Sequence, residues 1–435
     1  MKFLNSVISK TSVFKSLVSL ETKGRLPIEV SGLSDIHKAL ILSAYKAQSN
    51  KKVIVITPDE AAAMSLYDDL SSLGVKVGLL PSRDYTIGGF QGHSKEYEHK
   101  RIDTLSKLLE GSFDMLILGV ESAMQIVPPT SLLKKSYLTL KTAQTISTSE
   151  IINNLLSSGY VRSELVDGVG QFSLRGGIVD IFAVNEAQPF RIEFWGDEID
   201  TISTFDPDTQ RRTENVEEIK IAPASEVIAQ KQDILKILNE YKASQKKLSD
   251  KQIKRIDDDI IAIENELDFS FDRYVSLLYG KSNVFDYIPE ALVVTSEIVS
   301  VREHIKNMQF QINEDIKSYL EDGFLSSGSA NIYLDETDIL NYCEKGILLD
   351  SFLPSSVPFP LKELLTCDFK RNSCWSGDIS VLKEDISYSL SRGGIAVIAA
   401  RNPKAAQILN SAKPGRVMVG RLLSNSVVLK TVPSM

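Results

Sequence analysis

Apolar positions change their period several times along the chain. In the first segment, strand-like runs cover residues 27–30, 52–57, 75–80 and 115–118. Between these runs, apolar residues recur at helical spacing in residues 36–47, 60–73 and 96–109. Strands that alternate with helices predict a parallel sheet flanked by helices.

The pattern changes near Ser136. A helical stretch is followed by short strands that are separated by glycines, namely Gly168, Gly170, Gly176, Gly177 and Gly196. This arrangement indicates a small α+β insert that is rich in antiparallel strands. In particular, the Arg175-Gly176-Gly177 sequence predicts a tight hairpin turn with Arg175 at its end.

From about residue 228 the pattern is helical and highly charged, except for a strand-like run at residues 291–295. We expect this part to pack back onto the first sheet. Residues 326–329 (SSGS) indicate a loop or linker, and the segments after them alternate again between helix and strand. The end of the chain is therefore predicted to form a compact α/β unit.

Composition excludes several classes of function. No apolar run approaches the roughly 20 residues of a membrane span, and the N-terminus lacks a signal-peptide core, so we expect a cytoplasmic protein with no membrane partner. The three cysteines and four histidines show no metal-ligand spacing. A net charge of −8 disfavours a broad surface for duplex DNA, which requires many cationic side chains.

A partial phosphate-binding loop lies where the first strand-like run enters a helix. Gly32 and Lys38 fit the pattern G-x-x-x-x-G-K-[ST]. His37 replaces the second glycine, and Ala39 replaces the hydroxyl that would ligate Mg²⁺. Taken alone, this segment is more simply explained as a chance match at the start of a helix.

The strand-like run at residues 291–295 shows a related defect. It ends where helicase-type ATPases place an Asp-Glu pair, but here Ser296 replaces the aspartate and only Glu297 remains. Alone, this is an ordinary buried strand. Together, the two segments indicate an ATPase-like domain kept for its shape, so we expect no catalytic residue, no metal and no cofactor.

Three segments carry a resemblance to a known family, namely residues 167–182 (DGVGQFSLRGGIVDIF), 189–200 (PFRIEFWGDEID) and 205–211 (FDPDTQR). They closely resemble the second domain shared by UvrB and bacterial transcription-repair coupling factors. UvrB also has an intact phosphate loop and an aromatic-rich hairpin, whereas Tyr85, Phe90 and Tyr97 are too few for such a hairpin. The sequence therefore resembles the N-terminal region of the coupling factors, domains 1–3, more than UvrB.

The resemblance implies an α/β fold: a discontinuous RecA-like parallel-sheet domain with an inserted α+β UvrA-binding domain, followed by a small α/β domain. The expected boundaries are 1–132 and 228–345 for the two parts of the UvrB-like domain, 133–227 for the insert and 346–435 for the third domain. Full-length members of the family are ATP-dependent DNA translocases.

The resemblance also implies a partner. In the family the second domain docks onto UvrA, and Arg162, Arg175 and Phe182 fall at the matching interface positions. Arginine and aromatic side chains are common anchors of protein interfaces. Phe182 is equally well explained as a core residue.

We therefore expect a non-catalytic adaptor of transcription-coupled nucleotide excision repair that recruits UvrA. RNA polymerase and DNA are expected to be contacted only through regions missing from this chain. The alternative is a DNA-binding or ATPase module of a UvrB-like or helicase-like remodelling enzyme. A cationic cluster would serve DNA binding, but Asp257, Asp258 and Asp259 follow it, which favours a solvated helix face. The cluster comprises Lys246, Lys247, Lys251, Lys254 and Arg255.

Overall fold

The protein is described by a computed structural model that covers residues 2–85, 87, 95–245, 248–265, 271–368, 379–391, 396–400 and 417–421. Phe90, Lys246 and Lys247 lie outside the described residues.

The described helices follow the predicted helical segments and add others, two at the N-terminus and three at residues 120–123, 130–135 and 336–343. They are α1 (Lys2–Ile8), α2 (Ser12–Thr22), α3 (Asp35–Gln48), α4 (Glu60–Ser72), α5 (Glu96–Leu109), α6 (Val120–Ala123), α7 (Thr130–Lys135), α8 (Thr148–Ser157), α9 (Lys231–Ser244), α10 (Asp250–Glu264), α11 (Val275–Tyr279), α12 (Ile298–Glu321), α13 (Glu336–Cys343) and α14 (Ile379–Ser391). Short 3-10 helices cover Phe271–Tyr274 and Val284–Tyr287.

The described strands form one large parallel sheet, one mixed sheet and two strand pairs. They are β1 (Ile28–Ser31), β2 (Val53–Thr57), β3 (Val77–Leu79), β4 (Met115–Gly119), β5 (Leu138–Lys141), β6 (Val161–Arg162), β7 (Gln171–Arg175), β8 (Ile178–Ile181), β9 (Phe190–Trp195), β10 (Glu198–Phe205), β11 (Arg212–Val216), β12 (Glu218–Ile221), β13 (Leu292–Ser296), β14 (Ile347–Asp350), β15 (Glu363–Thr366), β16 (Ala396–Ala400) and β17 (Val417–Arg421).

The large sheet has seven parallel strands in the order β15-β1-β14-β13-β2-β4-β3. Both of its faces are buried. In β2, Val53 and Val55 pack in one apolar core, while Ile54 and Ile56 pack in the other. Such burial on two faces explains why these strands read as continuous apolar runs in the sequence.

This sheet confirms the discontinuous domain. Strands β1 to β4 precede the insert in sequence, whereas β13 to β15 follow it, and β13 lies between β14 and β2. The sheet also continues beyond residue 345, where we predicted a boundary with the third domain, because β14 occupies an interior position and β15 an edge. We therefore propose that the first domain extends to Thr366.

The insert is built on a mixed sheet of six strands in the order β11-β10-β9-β8-β7-β6. Only β6 and β7 pair in parallel, and the other neighbours are antiparallel. β5 pairs with β12, so the two ends of the insert lie side by side. The insertion of an α+β unit that is rich in antiparallel strands is confirmed.

Helix α5 joins the insert to the first domain. Ile102 contributes to the apolar core of the insert, while Leu105 belongs to the core under the parallel sheet. The neighbouring Arg101 is fully buried and donates to the Glu226 carboxylate, which lies at the C-terminal end of the insert. The insert is therefore held against the first domain by both apolar packing and a buried ion pair.

At the end of the chain, β16 and β17 pair in parallel and α14 packs against β16. Within the described part of the chain, no helix combines the length and the apolar character that a membrane crossing requires.

Candidate functional site

The fold brings the two parts of the degenerate nucleotide motif together. Lys38 lies in the first turn of α3, and Ser296 ends β13. The Lys38 ammonium donates to Ser296 Oγ at 3.0 Å and to Glu297 Oε1 at 2.5 Å. Because only 3% of the Lys38 side chain is exposed, these contacts take the place of solvent.

Glu297 is held from a second direction. Its Oε1 atom also accepts hydrogen bonds from the backbone N–H of Ser351, at 2.9 Å, and from the Ser351 hydroxyl, at 2.5 Å. The backbone of Glu297 has a φ of 59° and a ψ of 64°, a left-handed conformation that is uncommon outside glycine. Four contacts to one short segment thus maintain a strained residue at the end of β13.

Two backbone amides of the loop before α3 already have hydrogen-bond partners within the protein. The N–H of Leu33 donates to the Asp350 carbonyl at 3.1 Å, and the N–H of Ser34 donates to His37 Nδ1 at 3.3 Å. His37 therefore acts as part of a capping box for α3, and burial lowers its pKa, which favours the neutral ring. Two amides that would face a phosphate are already bonded.

Gly32 and Ala39 have structural roles in this loop. Gly32 has a φ of +84°, and a Cβ built there would lie 2.3 Å from the carbonyl oxygen of Cys367. Only glycine allows this close approach of two backbone segments. Ala39 is fully buried in the apolar core beneath the sheet.

A pair of buried acids lies behind the loop. Glu29 on β1 is fully buried, and Asp350, at the end of the adjacent β14, is 2% exposed. Burial and the neighbouring Asp350 raise the pKa of Glu29 to about 8, and burial raises that of Asp350 to about 6. Glu29 is therefore protonated near neutral pH, but the carboxylates of Asp350, Glu297 and Asp35 still outnumber the single Lys38 ammonium, and such a field repels a polyphosphate.

In the insert, Arg175 ends β7 and is paired with Ile178 across the Gly176-Gly177 turn, which confirms the predicted hairpin. One amino group of Arg175 donates to Asp180 Oδ2 at 2.6 Å. Asp180 is fully buried, and it also accepts two hydrogen bonds from Arg191, at 2.7 and 2.9 Å. The 48% of the Arg175 side chain that is exposed remains accessible to a partner.

Phe182 lies just after β8 and is 9% exposed. It packs with Val166 and Phe205 in a small apolar cluster. This burial agrees with the explanation of Phe182 as a core residue. It does not agree with Phe182 as an exposed residue that contacts a partner. Its assignment to the UvrA interface stays a prediction that the burial disfavours.

Arg162 is separated from Arg175. It lies on the edge strand β6 in register with Phe172, whose side chain is part of the insert's core. Side chains alternate between the two faces of a strand, so Phe172 and Arg175 on β7 point to opposite faces. The structure therefore places the exposed Arg162 at the edge, on the face opposite to Arg175.

Trp195 is a candidate that sequence reasoning missed. It ends β9, and its side chain is 84% exposed. A signal for it was present in the sequence of β9. Polar Arg191 and Glu193 alternate with the buried Phe190 and Ile192, and this alternation assigns Trp195 to the polar face.

The comparisons with known proteins match this architecture. Residues 138–227 match the UvrB interaction domain family, a range that begins at β5 and ends just after β12. The transcription-repair coupling factor of Bacillus subtilis (strain 168) is 29% identical over 337 residues, which cover 74% of this chain and 29% of the relative. That of Staphylococcus aureus (strain MRSA252) is 27% identical over 401 residues, covering 88% of this chain and 34% of the relative.

This chain is similar to the transcription-repair coupling factors. It corresponds to their N-terminal, UvrB-like region, and it spans about a third of the length of the coupling factors it matches.

Two described residues of the cationic cluster that would favour DNA binding, Lys251 and Arg255, make local contacts. Lys251 Nζ donates to the Glu321 carbonyl at 3.4 Å, and the Arg255 guanidinium lies 4.5 Å from the centre of the Phe324 ring. Lys254 is exposed on α10 beside Asp257 and Asp258. Nothing in this arrangement resembles a continuous basic stripe along the described part of α10.

Proposed function

We propose that this chain is a non-catalytic adaptor of transcription-coupled nucleotide excision repair, and that it recruits UvrA through its inserted domain. The observation that carries the proposal is the match of residues 138–227 to the UvrB interaction domain family, because these residues form the insert as one structural unit. Within that unit, Arg175 offers a partly exposed guanidinium at the end of a hairpin.

The setting of Arg175 supports a role in recognition. The buried Asp180 carboxylate fixes one side of the guanidinium, so little side-chain entropy is lost when the exposed side binds a partner. Arg191 shares the same carboxylate and leaves the cluster with a net positive charge. Such a cluster suits an acidic surface, where an arginine forms charge-assisted hydrogen bonds.

The first domain, which contains the large parallel sheet, is proposed to act as a scaffold and not as an ATPase. Lys38 is tied to Ser296 and Glu297, the loop amides of Leu33 and Ser34 have internal partners, and Ala39 offers no hydroxyl to Mg²⁺. Binding MgATP would require breaking these contacts and placing the triphosphate among carboxylates. We propose that the first domain instead fixes the insert, through α5, in one orientation.

The proposal places the protein in the cytoplasm, with UvrA as its direct partner. Contacts with RNA polymerase and with DNA are proposed to be made by regions outside this sequence.

The testing experiment is a binding measurement between the whole chain and purified UvrA, such as analytical size exclusion followed by calorimetric titration. The proposal predicts that the complex forms although this chain has no nucleotide bound to it. The absence of a complex at micromolar concentrations, with both proteins folded, would refute the proposal.

A further inference from the structure

Trp195 is exposed without any structural reason within its own domain. It lies at the end of β9, where the Gly196-Asp197 turn reverses the chain into β10, and Gly196 has a φ of +64°. The insert's core takes Phe190 and Ile192 from the same strand, but 84% of Trp195 is in contact with solvent. Exposed indole is unusual because tryptophan is among the largest apolar side chains and is enriched at protein interfaces.

The strand register places Trp195 on the same face and at the same end of the sheet as Arg175. Arg175 is paired with Ile178, and Ile178 is paired with Glu193. Paired residues share a face, and so do residues two apart on one strand, so Arg175, Glu193 and Trp195 face the same side. The Gly176-Gly177 turn also contacts the end of β9, since the Phe194 N–H donates to the Gly177 carbonyl at 2.9 Å.

The charges around Trp195 favour a partner with carboxylates. Glu193 is neutralised by Arg212, with which it forms an ion pair, and Asp180 is neutralised by Arg191. Arg175 also binds Asp180, so two arginines share one carboxylate and this cluster carries one net positive charge on the β8 side of the indole. On the other side, Glu198 lies directly opposite Trp195 on β10 and the exposed Asp197 follows in the turn, so the positive surface is limited to the side of Arg175.

We propose that Trp195 is the aromatic anchor of the UvrA-binding surface and acts together with Arg175, in the role that the sequence assigned to the buried Phe182. This inference rests on the proposed function, since the occupant of the surface is UvrA. The face presented by Trp195 and Arg175 requires a partner with an apolar slot for the indole and a carboxylate beside it. A central aromatic with an adjacent arginine is the usual composition of an interface hot spot.

The test compares Trp195→Ala with Phe310→Ala in titrations with purified UvrA. Phe310 is a matched control because it is an exposed aromatic, 70% accessible, on α12 outside the insert. Trp195→Ala should weaken UvrA binding by about tenfold or more, as expected for a hot-spot residue. Phe310→Ala should bind like the wild type, and Trp195→Phe should retain most of the affinity.

The outcomes separate the inference from the proposed function. If the wild type forms no complex with UvrA, the proposed function fails and the inference fails with it. If the wild type binds and Trp195→Ala binds equally well, only the inference is overturned. A dimer of this chain that Trp195→Ala abolishes, together with unchanged UvrA affinity, would also overturn it, because the indole would then serve a second copy.

A direct readout is available because the sequence contains only two tryptophans, Trp195 and Trp375. With 5-fluorotryptophan incorporated into this chain, Trp195→Phe assigns the two fluorine resonances. Unlabelled UvrA should shift or broaden the Trp195 resonance, whereas an unchanged resonance in the presence of a formed complex would contradict the proposal.

Discussion

Arg101 and Glu226 form a completely buried ion pair that connects α5 to the C-terminal end of the insert. The Arg101 guanidinium also donates to the Pro81 carbonyl at 2.6 Å and to Ser122 Oγ at 3.2 Å. The Glu226 N–H, in turn, donates to Glu98 on the same helix, at 2.8 Å. These contacts fix the orientation in which the insert is presented.

Removing the charge of Glu226 should destabilise the whole protein. Glu226→Gln leaves the Arg101 charge buried without a counterion, and the loss of one member of such a pair typically lowers the free energy of unfolding by about 3–5 kcal/mol. Urea denaturation measures this loss. The control is Glu96→Gln, which removes an exposed pair with Lys100 and should leave the midpoint unchanged. Equal urea midpoints for both variants would show that the buried pair does not stabilise the contact between α5 and the insert.

The nucleotide site should be inert. We expect neither ATP hydrolysis nor a shift of the melting temperature with MgATP, because the loop lacks the glycine at His37 and the metal-side groups at Ala39 and Ser296. Lys38→Met should lower the free energy of unfolding by about 1–3 kcal/mol, since Glu297 loses its ammonium donor. The same variant should leave UvrA affinity unchanged. Saturable MgATP binding that Lys38→Met abolishes would contradict this account.

The buried acids predict a dependence of stability on pH. The pKa of Glu29 rises from its ordinary value of 4.5 to about 8 because of burial and the adjacent Asp350, so the folded protein retains a proton that the unfolded chain releases above pH 4.5. The free energy of unfolding should therefore fall as the pH rises from about 4.5 to about 8 and then level off. Asp350, whose pKa is raised to about 6, contributes in the same direction at the acidic end of this range.

Glu29→Gln tests this directly, because the amide is neutral at every pH and is close to the glutamate side chain in shape. The variant should be more stable than the wild type by about 2–4 kcal/mol at pH 8.5, with a smaller difference near pH 5.5. Urea denaturation at these two pH values measures the difference. Identical pH dependence in the two proteins would show that Glu29 does not titrate in this range.

Binding to duplex DNA should be weak and sensitive to salt. The net charge is −8, and Lys251 and Arg255 on α10 are engaged with Glu321 and Phe324. Fluorescence anisotropy with labelled duplexes, undamaged and lesion-containing, should show similar weak binding that disappears at about 0.15 M salt. Tight, lesion-specific binding at that salt concentration would contradict the prediction.

The sequence predicts the parallel sheet well because its interior strands carry an unambiguous pattern. In β2 and β4, every residue is buried, and an unbroken buried run of five residues between two helices is typical of an interior strand in a parallel sheet. The Arg175 hairpin was equally predictable, since Gly176-Gly177 supplies the positive φ that a two-residue turn requires.

The extent of the first domain was harder to predict, because residues 326–329 have the composition of a linker. In the structure Ser326 and Ser329 are buried, and the Tyr241 hydroxyl contacts Ser326. Small polar residues pack a buried loop as readily as they form a linker, and composition does not distinguish the two. The chain after this loop returns to the first domain, since β14 and β15 belong to the parallel sheet.

The opposite exposures of Phe182 and Trp195 were only partly predictable from the sequence. Alternation assigns Trp195 to the polar face, but it does not reveal that Val166 and Phe205 pack against Phe182 while Trp195 stays exposed. Val166 lies in the loop between β6 and β7, so its packing against Phe182 is a tertiary contact that local periodicity does not encode.

The central claim is that the insert binds UvrA through the surface that includes Arg175. The most direct measurement is the affinity for purified UvrA of the wild type, of Arg175→Glu and of the control Lys254→Glu, with folding verified by circular dichroism. We predict that Arg175→Glu weakens binding at least tenfold, because it replaces a charge-assisted contact worth about 2–5 kcal/mol with like-charge repulsion. Lys254→Glu, on α10, should bind like the wild type. Equal loss in both variants, or no loss in a folded Arg175→Glu protein, would contradict the account.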